Sequence, residues 1–328
     1  MKVKFWGTRG SIPVATNAEF SQDKLRKVLA LAVAAKLDSV DDIEHFLANL
    51  PFIKRGAFGG NTSCVQLISQ SACEQSEASR EFMLCDLGTG IRDFNQYQLA
   101  QKQGPQVYHI FMSHLHWDHI MGFPFFTPAY QAGNVIRIYG CHEQMEQTFR
   151  RQHQDPNFPV DFSQLAADIE FVKLEVDTDY QINGFKVRAK RQIHMGDSYG
   201  YRFEQDGVSV IYSTDSEHHI EDQQYLLGVV DFFADSDLVI FDAMYSLLDS
   251  VTHKRDWGHS NNLTGVELCQ RAKAKRICLF HHEPAHNDEQ IMQSLIEARD
   301  YENLTRCEQP RLQVDAAYDG LLLDLLNK

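Results

Sequence analysis

The 328-residue chain has no run of about 18 uncharged apolar residues, so no membrane-spanning helix is expected and no membrane partner. The opening segment, Met1 to Gly7, carries no apolar signal-like core, which predicts a cytoplasmic protein. Cysteine is sparse and scattered: residues 64, 73, 85, 141, 269, 278 and 307 never form a CxxC pair. That pattern excludes a thiolate zinc finger and gives no sign of a disulfide framework; buried free thiols are expected instead. Positive charge is in deficit, with 31 Lys and Arg against 45 Asp and Glu and a formal charge of −14. Such a balance repels polyanions, so general nucleic-acid binding is expected to be disfavoured. A small anionic substrate stays compatible with it, because a metal centre supplies its own positive field. The chain also lacks a Pro/Gly/Ser-rich linker, a low-complexity tract and an internal repeat, and residues 1–328 are therefore expected to form a single domain.

What is there is a series of short apolar runs separated by glycine or polar turns. They fall at Val3–Trp6, Cys64–Ile68, Phe82–Cys85, Val107–Met112, Val135–Tyr139, Ile169–Leu174 and Phe185–Ala189. Further runs at Tyr199–Phe203, Val208–Tyr212, Leu238–Phe241, Ile277–Phe280 and Leu321–Leu325 also read as strands. Helical spacing is seen over Ile91–Gln103, Glu143–Gln152, Leu263–Ala274 and Asp288–Asp300. Between Ser21 and Leu50, the series Leu25, Val28, Leu29, Ala32 and then Val40, Ile43, Phe46, Leu47, Leu50 predicts a helical hairpin stopped by Pro51. Many strands with interspersed helices point to a layered α/β domain.

The chemistry concentrates after the run Val107–Met112, where His114, His116, Asp118 and His119 stand within six residues. Imidazole and carboxylate suit zinc and other borderline divalent ions. Four such groups are too many for one compact tetrahedral site with an open position, which points to two metals.

The segment Met112–Gly122 resembles the HxHxDH loop of the metallo-β-lactamase fold. Gly7-Thr8-Arg9-Gly10-Ser11, Gly59-Gly60-Asn61-Thr62-Ser63 and Asp86-Leu87-Gly88-Thr89-Gly90 are similar to the opening strands of its ribonuclease Z and PhnP-type phosphodiesterase branch. Residues of about 14–57, which include the hairpin, lie outside that pattern and are expected to be an insertion that forms a lid, a dimer contact or a pocket wall. The resemblance implies an αββα sandwich, two mixed β-sheets flanked by helices, with metals at one edge. It also implies further ligands: His194 after a mid-chain strand, Asp215 as a bridging carboxylate with Asp242 as its rival, and His281 in preference to the adjacent His282. One ion would then be held by His114, His116 and His194, the other by Asp118, His119 and His281, with Asp215 shared. Zinc is the expected metal, and manganese or iron would accept the same set. Water between two such ions becomes hydroxide near neutral pH, a ready nucleophile that Asp118 could orient.

Protonation of a leaving group falls to His259 in Trp257-Gly258-His259-Ser260-Asn261-Asn262, similar to a histidine loop of the phosphodiesterase branch. Where ribonuclease Z has His-Glu-Ala-Thr, this chain has Phe241-Asp242-Ala243-Met244, and a pre-tRNA nuclease is therefore not expected. The implied activity is hydrolysis of a small phosphodiester or nucleotide, cyclic ones included. Lactonase or thioesterase chemistry is the first alternative; a diiron redox protein and an inactive binding member follow. Arg9 and Arg92 are candidates for anion contact. His218 and His219 read equally as a solvated turn or a substrate contact, and His45, His142, His153, His253 and His286 as surface residues.

Overall fold

The computed structural model describes residues 1–69, 81–100, 104–219 and 221–326. Its strands are β1 (Lys2–Gly7), β2 (Cys64–Ile68), β3 (Glu81–Cys85), β4 (Val107–Phe111), β5 (Val135–Gly140), β6 (Asp168–Lys173) and β7 (Asp179–Ile182). They continue with β8 (Phe185–Gln192), β9 (Ser198–Gln205), β10 (Val208–Ser213), β11 (Leu238–Asp242), β12 (Arg276–Phe280), β13 (Gln313–Ala316) and β14 (Leu322–Asp324). The helices are α1 (Ala18–Ala35), α2 (Val40–Asn49), α3 (Phe52–Arg55), α4 (Ile91–Ala100), α5 (Trp117–Ile120), α6 (Met145–Gln152), α7 (Gln223–Phe233), α8 (Leu247–Val251), α9 (Asn262–Arg271) and α10 (Asp288–Thr305).

Among the described residues the strands form two mixed sheets of seven, ordered β14-β1-β2-β3-β4-β5-β6 and β13-β12-β11-β10-β9-β8-β7. Alternation along the strands builds three apolar layers. On β10 and β11, Val210, Tyr212, Leu238 and Ile240 face the core between the sheets, beside Phe5, Phe111 and Phe280. Ile211, Val239 and Phe241 face the other way, under α7, α9 and α10. Tyr108 and Ile110 of β4 likewise join Phe94 and Phe149 beneath α4 and α6. The result is a helix-sheet-sheet-helix stack, and burial on both faces explains why the inner strands are almost continuously apolar.

This topology also aligns the strand ends. β3 through β6 are mutually parallel, as are β10 through β13. β8 runs with β10 because both are antiparallel to β9, and β1 runs with β3 because both are antiparallel to β2. Within each sheet, the segments following β1, β3 and β4, or β8, β10, β11 and β12, therefore leave at a common edge.

The predicted hairpin is present as α1 and α2, and Pro51 ends it. β7, β13, α3, α5, α7 and α8 are additional to the elements read from the sequence, and residues 101–103 of the helix expected over Ile91–Gln103 lie outside the described residues. No helix among those described is long and apolar enough to cross a membrane. The six cysteines described are free thiols.

Candidate metal centre

The strand exits at these edges of the two sheets deliver the polar groups. β4 leads to His114, His116, Asp118 and His119, β8 to His194, β10 to Asp215 and β12 to His281. Asp215 and His281 leave their strands in the left-handed region, with φ of 46° and 60°, and Asp86 after β3 does the same at 60°. Backbone of that kind costs energy and persists where the surroundings fix it, typically around functional groups.

Asp215 lies at the centre. Its Oδ1 is 3.2 Å from His119 Nε2 and 3.3 Å from His281 Nε2. Its Oδ2 is 3.5 Å from His114 Nε2 and 3.8 Å from His194 Nε2. Asp118 Oδ2 is 3.3 Å from both His119 Nε2 and His281 Nε2, and His194 Nε2 is 3.2 Å from His116 Nδ1. The seven groups thus divide into His114, His116 and His194 on one side and Asp118, His119 and His281 on the other, with one oxygen of Asp215 turned to each. Ligand atoms within both triads lie within 4.8 Å of one another. His282 points elsewhere and donates from Nε2 to the Ala317 carbonyl at 2.8 Å.

Partners behind the imidazoles fix which nitrogen faces inward. His119 Nδ1 lies 2.7 Å from Asp86 Oδ2, and His194 Nδ1 lies 2.7 Å from the Gly258 carbonyl. Asp86 is fully buried and also accepts from Ser113 N, Ser113 Oγ and the Tyr212 hydroxyl. The Ser11 backbone N–H donates to Asp118 Oδ2 at 2.7 Å. Asp86 and Ser11 had no assigned role in the sequence, although both lie in glycine-containing turns that stood out there. Their significance depends on contacts across 33 and 107 residues.

These residues fit divalent metal ions on their own chemistry. Asp86, Asp118, Asp215 and Asp242 are buried, and none forms an ion pair with Lys or Arg among the described residues. Buried His114 Nε2 has no hydrogen-bond partner. Burial lowers the proton affinity of His114, His116 and His194, leaving lone pairs available. Burial opposes charge on Asp118 and Asp215 as well, yet the surrounding imidazoles, led by His119 for Asp118 and His281 for Asp215, hold both below the usual carboxylate range. The same carboxylates raise the proton affinity of His119 against its burial, so this buried group of acids draws positive charge, which divalent ions would supply.

His259 flanks the centre. Its ring stacks on His281 with centroids 5.1 Å apart at 18°, and its Nδ1 is 2.8 Å from Asp242 Oδ2. Burial works against protonation, but the Asp242 charge and hydrogen bond, aided by Asp215 and Asp118, push the imidazole up to about 9. Asp242 also accepts from Ser216 N and Met244 N. It therefore supports His259, while Asp215 holds the central position.

Several expectations need correction. Arg9 is buried and donates to the carbonyls of Gly59, Glu283 and His286, so it is not free to meet an anion. His218 is not in a solvated turn; it is buried between the rings of Tyr225 and Phe241. His142 and His153 are buried too, bonded to the Asp197 and Val160 carbonyls.

Residues 82–282 match the family described as the beta-lactamase superfamily domain. The chain belongs to that superfamily. It is 23% identical over 300 residues to ribonuclease Z of Oceanobacillus iheyensis, covering 76% of this chain and 94% of the relative. Its fold is similar to that of human tRNase Z, short form, with a TM-score of 0.59 and 19% identity over 99% of both chains. A diphosphatase from the PhnP family is similar at a TM-score of 0.59 and 18% identity, over 98% of this chain and 97% of that one. These likenesses match the metallo-β-lactamase architecture and the ribonuclease Z and PhnP branch read from the motifs. They overturn the expectation that nucleic-acid binding is disfavoured, since the relatives include a ribonuclease and a tRNase. A net charge of −14 is a sum over the whole molecule and is blind to the local field where a substrate docks.

Proposed function

We propose that this superfamily member is a metal-dependent hydrolase that cleaves phosphodiesters. The observation carrying the reading is the convergence, from strand ends of both sheets, of two triads of metal-type ligands around Asp215 with His259 stacked against His281. In this reading His114, His116 and His194 would hold one divalent ion and Asp118, His119 and His281 a second, with Asp215 shared between them; zinc suits the donors. The ions would supply Lewis-acid polarisation of the phosphoryl oxygen and a water of lowered pKa as nucleophile.

The chain's own groups account for the rest. Asp86 and the Gly258 carbonyl orient His119 and His194, and the Ser11 N–H turns Asp118. Asp118, an ionised carboxylate at the centre, is placed to orient the nucleophile by accepting its hydrogen bond. His259, kept protonated by Asp242, donates from its other nitrogen to the departing alkoxide. His259→Ala is expected to slow diesters with poor leaving groups at least a hundredfold and p-nitrophenyl diesters far less. Equal slowing of both would sink the assignment of His259 as acid.

The finer substrate is a small phosphodiester, cyclic ones included. An RNA phosphodiester is the second reading, favoured by the ribonuclease Z relative. Turnover of cyclic nucleotides and of a pre-tRNA by zinc-loaded protein decides between them. Cleavage of a lactone or thioester without any phosphodiester would overturn both. We read the whole chain as one domain, with residues 14–57 added to the superfamily pattern, and place it in the cytoplasm, where the free thiols would persist.

A further inference from the structure

The ligand loop has a back as well as a front. His114, His116, Asp118 and His119 turn to the centre, while Leu115, Trp117 and Met121 help to line a cleft of about 470 Å³ that runs to Phe125 and Arg151. Trp117 is 78% exposed and Phe125 66% exposed, unusual for side chains of that size unless something covers them. Phe125 is braced edge-on by Phe158 at 5.5 Å, and Gln152 ties α6 to the ligand loop through the Ile120 carbonyl at 3.1 Å. Phe125 therefore stands on a fixed support, and the turn that carries Trp117 is tied to α6.

Charge identifies the occupant. In a chain of net charge −14, no acidic residue lines this cleft. Its one charged residue, Arg151, is exposed and forms no ion pair among the described residues, whereas the adjacent Arg150 is bound to Glu146. A second copy of the chain seated on the same patch would bring Arg151 against no acid of that patch. Exposed π faces beside an unpaired guanidinium are instead the chemistry that holds an unpaired nucleobase and its phosphate.

We propose that this cleft is a stacking site for an unpaired base of the substrate, with Trp117 and Phe125 as its faces and Arg151 against the adjoining phosphate. The proposal rests on the phosphodiester reading and adds a recognition site to it. Trp117 lies between His116 and Asp118 in the chain, so a base held there sits beside the centre. The shared ligand chemistry is a nucleotide, either a mononucleotide or the end of a single RNA strand.

The test is equilibrium binding to zinc-loaded protein, followed by anisotropy of a fluorescein-labelled pentaadenylate with cleavage-resistant phosphorothioate linkages at fixed salt. Phe125→Ala and Arg151→Glu should each weaken binding about tenfold or more, and Trp117→Ala likewise, with Trp117→Phe restoring most of it. Adenosine monophosphate competing as well as unlabelled pentaadenylate identifies a mononucleotide site; competition by the strand alone identifies a strand site; both keep the cleft. Binding unchanged in variants whose circular dichroism is native overturns the proposal, as does absence of binding to the wild type. Self-association of the wild type that Phe125→Ala abolishes would assign the cleft to a protein interface instead. The phosphodiester reading is judged separately, by wild-type turnover of bis(p-nitrophenyl) phosphate, so the two can fail independently.

Discussion

At the scale of single residues, two glycines stand where any side chain would strike a candidate ligand. A Cβ on Gly10 would lie 2.6 Å from His281 Cε1 and 2.7 Å from its Nδ1; a Cβ on Gly258, whose φ is +83°, would lie 2.3 Å from His194 Nδ1. One glycine backs each triad. Gly10→Ala should weaken metal held on the Asp118, His119 and His281 side, and Gly258→Ala metal held on the His114, His116 and His194 side. Displacing the orientation of a ligand typically costs 10- to 100-fold in affinity, and chelator competition with cobalt or zinc reads it directly. Two variants with unchanged affinity for both ions would refute this. The cluster from His114 to His119 was legible in the sequence because its members are contiguous. Gly10 and Asp86 were not, because their role is to touch groups that arrive from elsewhere in the chain.

At the scale of elements, strand ends and helix starts carry the site. Asn261, directly after His259 and Ser260, caps α9: its Oδ1 accepts from Leu263 N and Thr264 N at 3.0 and 2.9 Å. Losing such a cap costs about 1 kcal/mol. Asn261→Ala is therefore expected to lower the unfolding free energy by that much, read as a lower urea midpoint at unchanged slope, and Asn261→Asp, which keeps the acceptor, should recover most of it. Inner strands such as β10 and β11 were readable as apolar runs because both of their faces are buried. β7 and β13 were not, being four-residue strands at the sheet's two outer positions with little apolar pattern, Asp179–Ile182 and Gln313–Ala316. α1 presents the opposite case: its helical spacing is evident, yet none of its residues is buried, so periodicity there announced a helix without a core beneath it.

For the whole molecule, buried histidines make stability depend on pH. Burial pushes His218 and His282 down to about 3, against 6.5 in an open chain. As pH falls from 6.5 toward 3 the unfolded chain takes up protons that the native protein refuses. The stability these groups contribute is thus complete above 6.5 and drains away below it. Metal-loaded protein should lose urea resistance through that window, and His218→Phe, which keeps the stack on Tyr225 and Phe241, should flatten the loss. Identical acid limbs in the two proteins would contradict the assignment. Chelation tests the centre at the same scale: ions bound to the native state alone stabilise it by mass action. Removing them should lower the melting temperature, and zinc should restore it; an unchanged melting curve would speak against ions among these carboxylates.

By itself the sequence determined the layered α/β fold, the superfamily and the contiguous ligand run, because these depend on local periodicity and on residues close along the chain. Only the tertiary structure decided that Asp215 lies between the two triads while Asp242 supports His259, and that His281 faces the centre while His282 turns to Ala317. Those pairs are alike in sequence, each an acid or imidazole at the end of an apolar strand. What separates them is where left-handed strand exits and cross-sheet contacts aim the side chains. Charge followed the same division: the total was fixed by composition, but the acid-free cleft behind Trp117 exists only because folding sorted the acids away from it.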